Sequence, residues 1–333
     1  MLREFLDHQQ VRAELSFIIV NWNGGELLRR CLKSIASYRP GVPYEVVVVD
    51  NASTDGSREW LRSDGPSQLL AGAPLRLIES DENLGFGRAN NRAFAATSTP
   101  LLFLLNSDAE LQPGACDALI STLRGEARVG VCGPRLVNPD GSTQISVWRN
   151  PPVAWATFLA PLKPYRLPPR RLCGELLLAE HWAHDRRRDV PMLSGAALLV
   201  RREVVEEVGG FDERYHMYAE DNEWCLRIAR AGWRMVFEPS AVVMHHGGHG
   251  SRQRWTDQER LRVQSDAFFL FQRTCLSRRQ ATANRLASVA QLSLRRAWRW
   301  LRGRPAEDLG LTLRLHFTEL KRSLREWGRR SGS

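Results

Sequence analysis

The sequence predicts an α/β protein: a mostly parallel mixed sheet flanked by helices, with a helical extension at the C-terminal end. Short continuous apolar runs alternate with amphipathic stretches through the first third of the chain. Each run is too short for a helix and too uniformly apolar for a strand with one wet face. It therefore reads as a strand covered on both sides. From Trp255 onward helical spacing alone remains.

Taken in order, LSFIIVN at 15–21 is the first buried strand and residues 26–38 the helix behind it. EVVVVD at 45–50 is the second strand, with a helix near 57–62. Residues 75–78 form the third strand, 88–96 a helix, and LLFLL at 101–105 the fourth strand. Residues 161–189, rich in proline and arginine, break all periodicity and read as a long surface loop of the kind that often serves as a lid. Order returns at 192–200 (MLSGAALLV), followed by a helix at 220–231 and strands at 235–237 and 242–244. The expected division is a catalytic domain at 1–253, with a nucleotide-binding half at 14–110 and an acceptor half at 111–253. A basic helical extension at 254–333 follows.

Composition narrows the class. Across 333 residues, 43% hydrophobic and 25% charged side chains fit a globular chain, neither disordered nor membrane-embedded. No apolar run approaches the length of a membrane-spanning helix. The N-terminus, MLREFLDHQQVRAE, is too charged for a secretory signal, so a cytoplasmic location is expected. Six cysteines without a CxxC pair fit scattered thiols in a reducing compartment. From Arg252 to the end there are 19 Arg or Lys against 7 Asp or Glu, a net of +12, which leaves the rest near −2. The basic character belongs to the tail, and such a tail suits an anionic partner.

Ligands of a parallel sheet bind at the carboxyl ends of its strands. Strand one ends in Asn21, and strand two in Asp50-Asn51 followed by ASTDG. A carboxylate there can hydrogen-bond a nucleobase imide or a ribose hydroxyl; equally, the stretch can be a polar turn capping the next helix. After strand three come Asn83, Gly85 and Asn90, where glycine permits close backbone approach to a ligand. Strand four stops at Asn106-Ser107-Asp108. Asp108 can hold Mg²⁺ or Mn²⁺, which bind through one or two carboxylates plus substrate phosphates, or it can be a turn residue. Glu220 and Asp221 open a helix whose dipole favours acids, and paired carboxylates also suit a general base. His245 and His246 follow a strand directly and can complete a metal shell or stand solvated in a loop.

In this order the segments VNWNGGELLRRCLKSI, VVVVDNASTDGS, ENLGFGRANN, LLFLLNSDAEL, LSGAALLVRREVVEEVGGFDE and YAEDNEWCLRIARAGW closely resemble the family 2 glycosyltransferases. Within them the likeness is greatest to the rhamnosyltransferase-like branch, which implies a GT-A fold. The resemblance covers roughly residues 14–251. It implies that Asp50 contacts the base, and that Asn21, Asn51, Asn83, Gly85, Asn90, Asn106 and Ser107 belong to the nucleotide-sugar pocket. Asp108 matches the last acid of the metal motif, Asp221 the catalytic base with Glu220 orienting the site, and His245 a metal-facing histidine. Two departures stand out. The metal motif reads Asn-Ser-Asp, so only Asp108 offers a carboxylate, and the doubled histidine leaves His245 and His246 both open.

The resemblance implies inversion at the anomeric carbon, with a divalent metal and a nucleotide-diphosphate sugar donor, first dTDP-rhamnose. The implied acceptor is a saccharide or lipid-linked saccharide of cell-surface polysaccharide synthesis. A UDP-sugar donor and an inactive nucleotide-sugar-binding scaffold are the alternatives. A sugar nucleotidylyltransferase is disfavoured, because NWNGGELL lacks the lysine of its phosphate loop. LSLRRAWRWLR in the tail is expected to meet an anionic membrane surface, with packing on protein as the alternative and no nucleic acid partner.

Overall fold

The computed structural model describes residues 12–152, 154–159, 178, 182–305 and 307–328. The first half builds β1 (Leu15–Asn21), α1 (Gly25–Ser37), β2 (Tyr44–Asn51), α2 (Ser57–Arg62), α3 (Gly65–Leu69), β3 (Leu75–Ser80), α4 (Gly85–Ala96) and β4 (Leu101–Leu105). Then come β5 (Ala109–Leu111), α5 (Ala115–Gly125), β6 (Val129–Val137), α6 (Ala154–Leu159), β7 (Arg188–Asp189), β8 (Ala197–Arg201) and α7 (Arg202–Val208). The last elements are α8 (Glu220–Arg230), β9 (Arg234–His245), α9 (His249–Arg254), α10 (Asp257–Cys275), α11 (Arg278–Leu301) and α12 (Glu307–Gly328).

The strands form one mixed sheet in the order β3-β2-β1-β4-β8-β6-β9-β5, with β7 paired to β9. The run β3-β2-β1-β4 is parallel, whereas β8 lies antiparallel to both its neighbours. The parallel strands are apolar end to end because both faces are covered. Alternate residues point to opposite faces. Phe17, Ile19, Val46, Val48 and Phe103 therefore pack under α1 and α5, while Ile18, Val47, Val49, Leu102 and Leu104 pack under α4 and α8. Burying each of these side chains contributes about 1.5–3 kcal/mol.

Several expectations shift. The fourth helix starts at Gly85, three residues before 88. The two short strands expected at 235–237 and 242–244 are one strand, β9, whose partner β6 slips register between Pro134 and Arg135. β5, α5, β6 and α7 carried no signal that the sequence reading used; β6 (VGVCGPRLV) hides behind two glycines and a proline. Most of the loop expected at 161–189 lies outside the described residues. What is described of it is not all irregular: Leu178 bridges Trp148, and Arg188–Asp189 pairs with β9.

After β9 the chain is helical. Thr256 and Ser277 each close a capping box at the starts of α10 and α11. The end of α10 docks near α8 through Tyr215 Oη to Thr274 Oγ1 (2.9 Å) and Arg230 Nη2 to the Cys275 carbonyl (2.8 Å). No helix among the described residues is long and apolar enough to cross a membrane.

Candidate active site

A cleft of about 280 Å³ opens beyond the carboxyl ends of β1, β2 and β4, facing the first turn of α8. Its floor is set by two side chains that do not line it. β1 and β2 pair in register so that Asn21 sits beside Asp50, and both are fully buried. Buried polar groups must find partners. Asn21 Nδ2 donates to Asp50 Oδ1 (3.1 Å), Ser53 Oγ (3.0 Å) and Ser57 Oγ (3.0 Å), while Asp50 Oδ2 accepts from Arg58 Nε (2.7 Å) and the Ser53 amide (3.2 Å). The pair thereby clamps the turn that presents Asn51.

Asn51 and Asn83 do line the cleft, and they tie its wall together. Asn51 Oδ1 accepts from the Leu84 amide (2.8 Å), and Asn51 Nδ2 donates to Asn83 Oδ1 and the Gly85 carbonyl (3.2 Å each). Gly85 takes φ +79°, and a Cβ there would lie 2.1 Å from the His216 carbonyl oxygen, so only glycine closes this wall. Asn90 is buried away from the cleft with Nδ2 on the Phe86 carbonyl (2.9 Å).

Opposite stand Glu220 and Asp221. Two successive non-glycine residues with positive φ, Tyr218 and Ala219, swing the chain so that both acids enter the cleft at the helix N-terminus. Such conformations cost about 1–3 kcal/mol each and are typical of functional turns. Asp221 Oδ2 accepts from the Gly195 amide (3.2 Å) and Oδ1 from the Asn222 amide (2.9 Å). Asn222 is itself held by Trp148 Nε1 and Asn150 Nδ2. Glu220 is buried, and its Oε2 has no hydrogen-bond partner among the described residues. Burial, then the Asp221 charge, pushes the Glu220 carboxyl well above the usual range. Burial also raises Asp221, against the opposing pull of its amide donors. For both acids the loss of water is the larger cause.

Beyond β4, Asn106, Ser107 and Asp108 line the same cleft, as does His245 from the end of β9. His245 Nε2 lies 3.2 Å from Asp108 Oδ1 and 3.3 Å from Asn106 Nδ2. Its tautomer is decided by Gln144. That amide's Nε2 donates to the Asn138 side-chain oxygen (2.9 Å) and the His245 carbonyl (3.2 Å), so its Oε1 must accept from His245 Nδ1–H (2.6 Å). Nε2 is thereby the ring nitrogen turned to the cleft, facing Asp108 Oδ1 and the Asn106 amide. This is the arrangement of a histidine prepared for a cation, with its other nitrogen anchored on an amide oxygen. No group of three His, Cys, Asp or Glu metal ligands forms among the described residues. A two-ligand site still fits Mg²⁺ or Mn²⁺, which takes its remaining ligands from phosphates and water. His246 turns the other way, with Nε2 on Glu110 Oε1 (2.8 Å), which also accepts from Arg30 Nη2 (2.8 Å).

Sequence reasoning missed Gln144, Gly195, Asn222 and the rim residues Trp22 and Tyr218. Gln144 follows a DGS turn and is 101 positions from the histidine it orients. Only the position of Gly195 just before an apolar strand hinted at its role.

The sequence matches the family described as Glycosyl transferase family 2 over residues 16–209, and Glycosyl transferase family group 2 over 177–304. It is 34% identical over 248 residues to N-acetylglucosaminyl-diphospho-decaprenol L-rhamnosyltransferase of Mycobacterium tuberculosis, covering 71% of this chain and 77% of that protein. To rhamnosyltransferase WbbL of Escherichia coli it is 33% identical over 100 residues, 30% of this chain and 37% of that one. Among solved structures, mannosyltransferase PcManGT from Pyrobaculum calidifontis in complex with GDP-Man and Mn²⁺ superposes with TM-score 0.56 at 20% identity, covering 97% of this chain and 92% of that one. GalNAc-T7 with UDP, GalNAc and Mn²⁺ superposes with TM-score 0.52 at 17% identity; 71% of this chain spans 44% of that one. At these identities the structural likeness concerns the fold.

Proposed function

This chain belongs to glycosyl transferase family 2, in its rhamnosyltransferase-like branch with a GT-A fold, and from that premise we propose that it transfers rhamnose from dTDP-rhamnose to a lipid-linked saccharide, with inversion, in cell-surface polysaccharide synthesis. One observation carries the reading: Asp221, held by two backbone amides, shares a single cleft with the Asp108–His245 pair.

Asp221 is the general base. Its amide donors fix the carboxylate's orientation, and burial strengthens it as a base near neutral pH. It accepts the proton of the acceptor hydroxyl as that oxygen attacks the anomeric carbon. The bond from that carbon to the diphosphate breaks on the opposite face, and the diphosphate leaves with the electron pair. Positioning supplies much of the rate. Glu220, whose carboxyl burial pushes well above the usual range, helps to orient the site beside Asp221. Asn51, Asn83 and Gly85 form the nucleotide wall, Asn106 and Ser107 flank the diphosphate, Asn21 and Asp50 act from beneath by holding the turn after β2, and Asn90 braces the first turns of α4 behind that wall. Asp108 and His245 would hold Mg²⁺ or Mn²⁺; when bound, the cation offsets charge on the departing diphosphate. His246 takes no part in that site.

The relative from Mycobacterium tuberculosis is named for a diphospho-decaprenol-linked sugar, which supports a lipid-linked acceptor here. Residues 1–253 are assigned to catalysis, and the basic residues 254–333 to contact with an anionic membrane on the cytoplasmic side. A thermal-shift and product screen of nucleotide sugars with and without Mn²⁺ tests the donor. dTDP-rhamnose with Mn²⁺ should give the largest stabilisation and should be turned over. Turnover of a UDP-sugar alone would replace the donor. Stabilisation with no transfer or hydrolysis would make the chain a binding scaffold.

A further inference from the structure

The helical extension carries a second cavity, about 890 Å³ and open to solvent, between the start of α10 and the α11–α12 hairpin. Four arginines from different segments converge on it: Arg262 on α10, Arg296 on α11, Arg304 in the connection and Arg314 on α12. Among the residues whose side chains are described, no carboxylate lies within ion-pair distance of any of the four. Elsewhere in the same bundle, Arg273 and Arg285 both reach Glu319, at 2.9 and 3.2 Å. The helix dipole favours cations in the last turn of α11, but it does not account for like charges from three helices around one cavity. Converging like charges repel, and an anion relieves them.

The surface beside these arginines is apolar. Leu294, Trp298 and Leu301 stand at spacings of four and three, a single helical stripe, and are 60%, 47% and 74% exposed. Trp300, in the cavity wall, is 77% exposed. Exposed indoles and leucines set among arginines are the composition of helices that lie in a membrane interface.

The position of this surface relative to the cleft completes the case. The Arg254 guanidinium lies over both Trp22 and Trp255, and Trp255 stands beside Tyr218; Trp22 and Tyr218 line the cleft. α10 begins two residues after Trp255, and Arg262 lies about 7.5 Å along it. Arg262 of the arginine cavity therefore lies on the helix that starts beside the rim of the cleft. We infer that Arg262, Arg296, Arg304 and Arg314 bind the phosphate headgroups of an anionic bilayer while Trp300, Leu301 and Leu294 enter the interface. That contact brings the rim of the cleft within reach of a lipid-embedded acceptor. The inference rests on the lipid-linked reading of the acceptor, yet its test needs neither donor nor acceptor.

Full-length protein is sedimented with vesicles of phosphatidylcholine alone and with equimolar phosphatidylglycerol. Wild type should pellet only with the anionic vesicles, less so at high salt. Arg296→Gln with Arg314→Gln should lower partitioning about thirtyfold, and Trp300→Ser should lower it further. Melting curves and turnover on a water-soluble acceptor should be unchanged in these variants. Protein that stays in the supernatant, or Gln variants that bind as well as wild type, overturn the inference. Binding to a single-stranded oligonucleotide but not to vesicles, or burial of the tryptophans in a dimer that ignores lipid, overturns it as well. Loss of sugar transfer with lipid binding intact would instead indict the assignment of function.

Discussion

The sheet-bearing body and the C-terminal helices bury polar groups in opposite ways. In the body, the sheet interior is mostly hydrocarbon, and buried polar side chains gather at the ends of β1 and β2 (Asn21, Asp50, Asn51) and at the start of α8 (Glu220). In the extension, charge lies at the helix interface. Arg285 is buried with its guanidinium on Gln272, Ser323 and Glu319, and Arg273 reaches the same Glu319. A parallel sheet satisfies its backbone internally, so polar side chains are needed only at strand ends, and those ends become the site. Three helices with a thin apolar seam must be told how to align, and a buried ionic knot does that. Such a knot adds little net stability, because desolvation offsets attraction.

Four experiments break or sharpen this contrast. The largest effect belongs to the body: Asp221→Asn should lower turnover by about 10²–10⁴-fold. Donor binding measured by calorimetry should stay intact; near-normal turnover would remove Asp221 from the base role.

In the extension, Glu319→Ala strands two arginines and should cost about 3–5 kcal/mol, seen as an early separate transition in thermal denaturation. The pair Arg285→Met with Glu319→Leu should recover most of that loss. Phe103→Ala in the sheet should cost a similar ~3–5 kcal/mol, with no equivalent rescue. A double variant no better than Glu319→Ala would show that the knot is a true source of stability.

Gln144→Leu should reduce Mn²⁺-dependent nucleotide affinity about 10–100-fold, comparable to Asp108→Ala, while the melting temperature of the metal-free protein stays put. Unchanged metal affinity would leave Gln144 without the role of orienting His245.

The smallest effect concerns pH, and the two regions should respond with opposite sign. Burial raises Glu220 and Asp221, so the native state keeps protons that the unfolded chain has lost. Their contribution falls as pH rises from the ordinary carboxylate range to the raised values. Burial pushes His316 in α12 from 6.5 down to about 4, with Arg285 adding to it. Its contribution is complete above about 6.5 and is lost as pH falls toward about 4. Glu220→Gln should therefore gain melting temperature on the alkaline side, and His316→Phe on the acidic side, by a few degrees. Gains on the same side would refute the contrast.

Much of the body was legible because periodicity is a local property. LSFIIVN, EVVVVD and LLFLL read as strands from their own residues, and the polar letters after them read as site candidates. Asp108, Glu220, Asp221 and His245 do meet in the cleft. β6 was illegible because glycine and proline break its pattern, and only its neighbours β8 and β9 make it a strand.

The amino-acid order alone determined the apolar strands β1, β2 and β4, the polar groups that follow them and where the charge lies, since each depends on neighbours along the chain. Which polar groups face the ligand space was decided in three dimensions. Asp50 and Asn21 turned inward to satisfy one another, and His245, the last residue of β9, faces Asp108 while His246, just past the strand, reaches Glu110. Gln144 met its histidine only when β9 closed beside the turn that follows β6. Hydrogen-bond satisfaction between distant segments is a property of packing, and no local pattern encodes it.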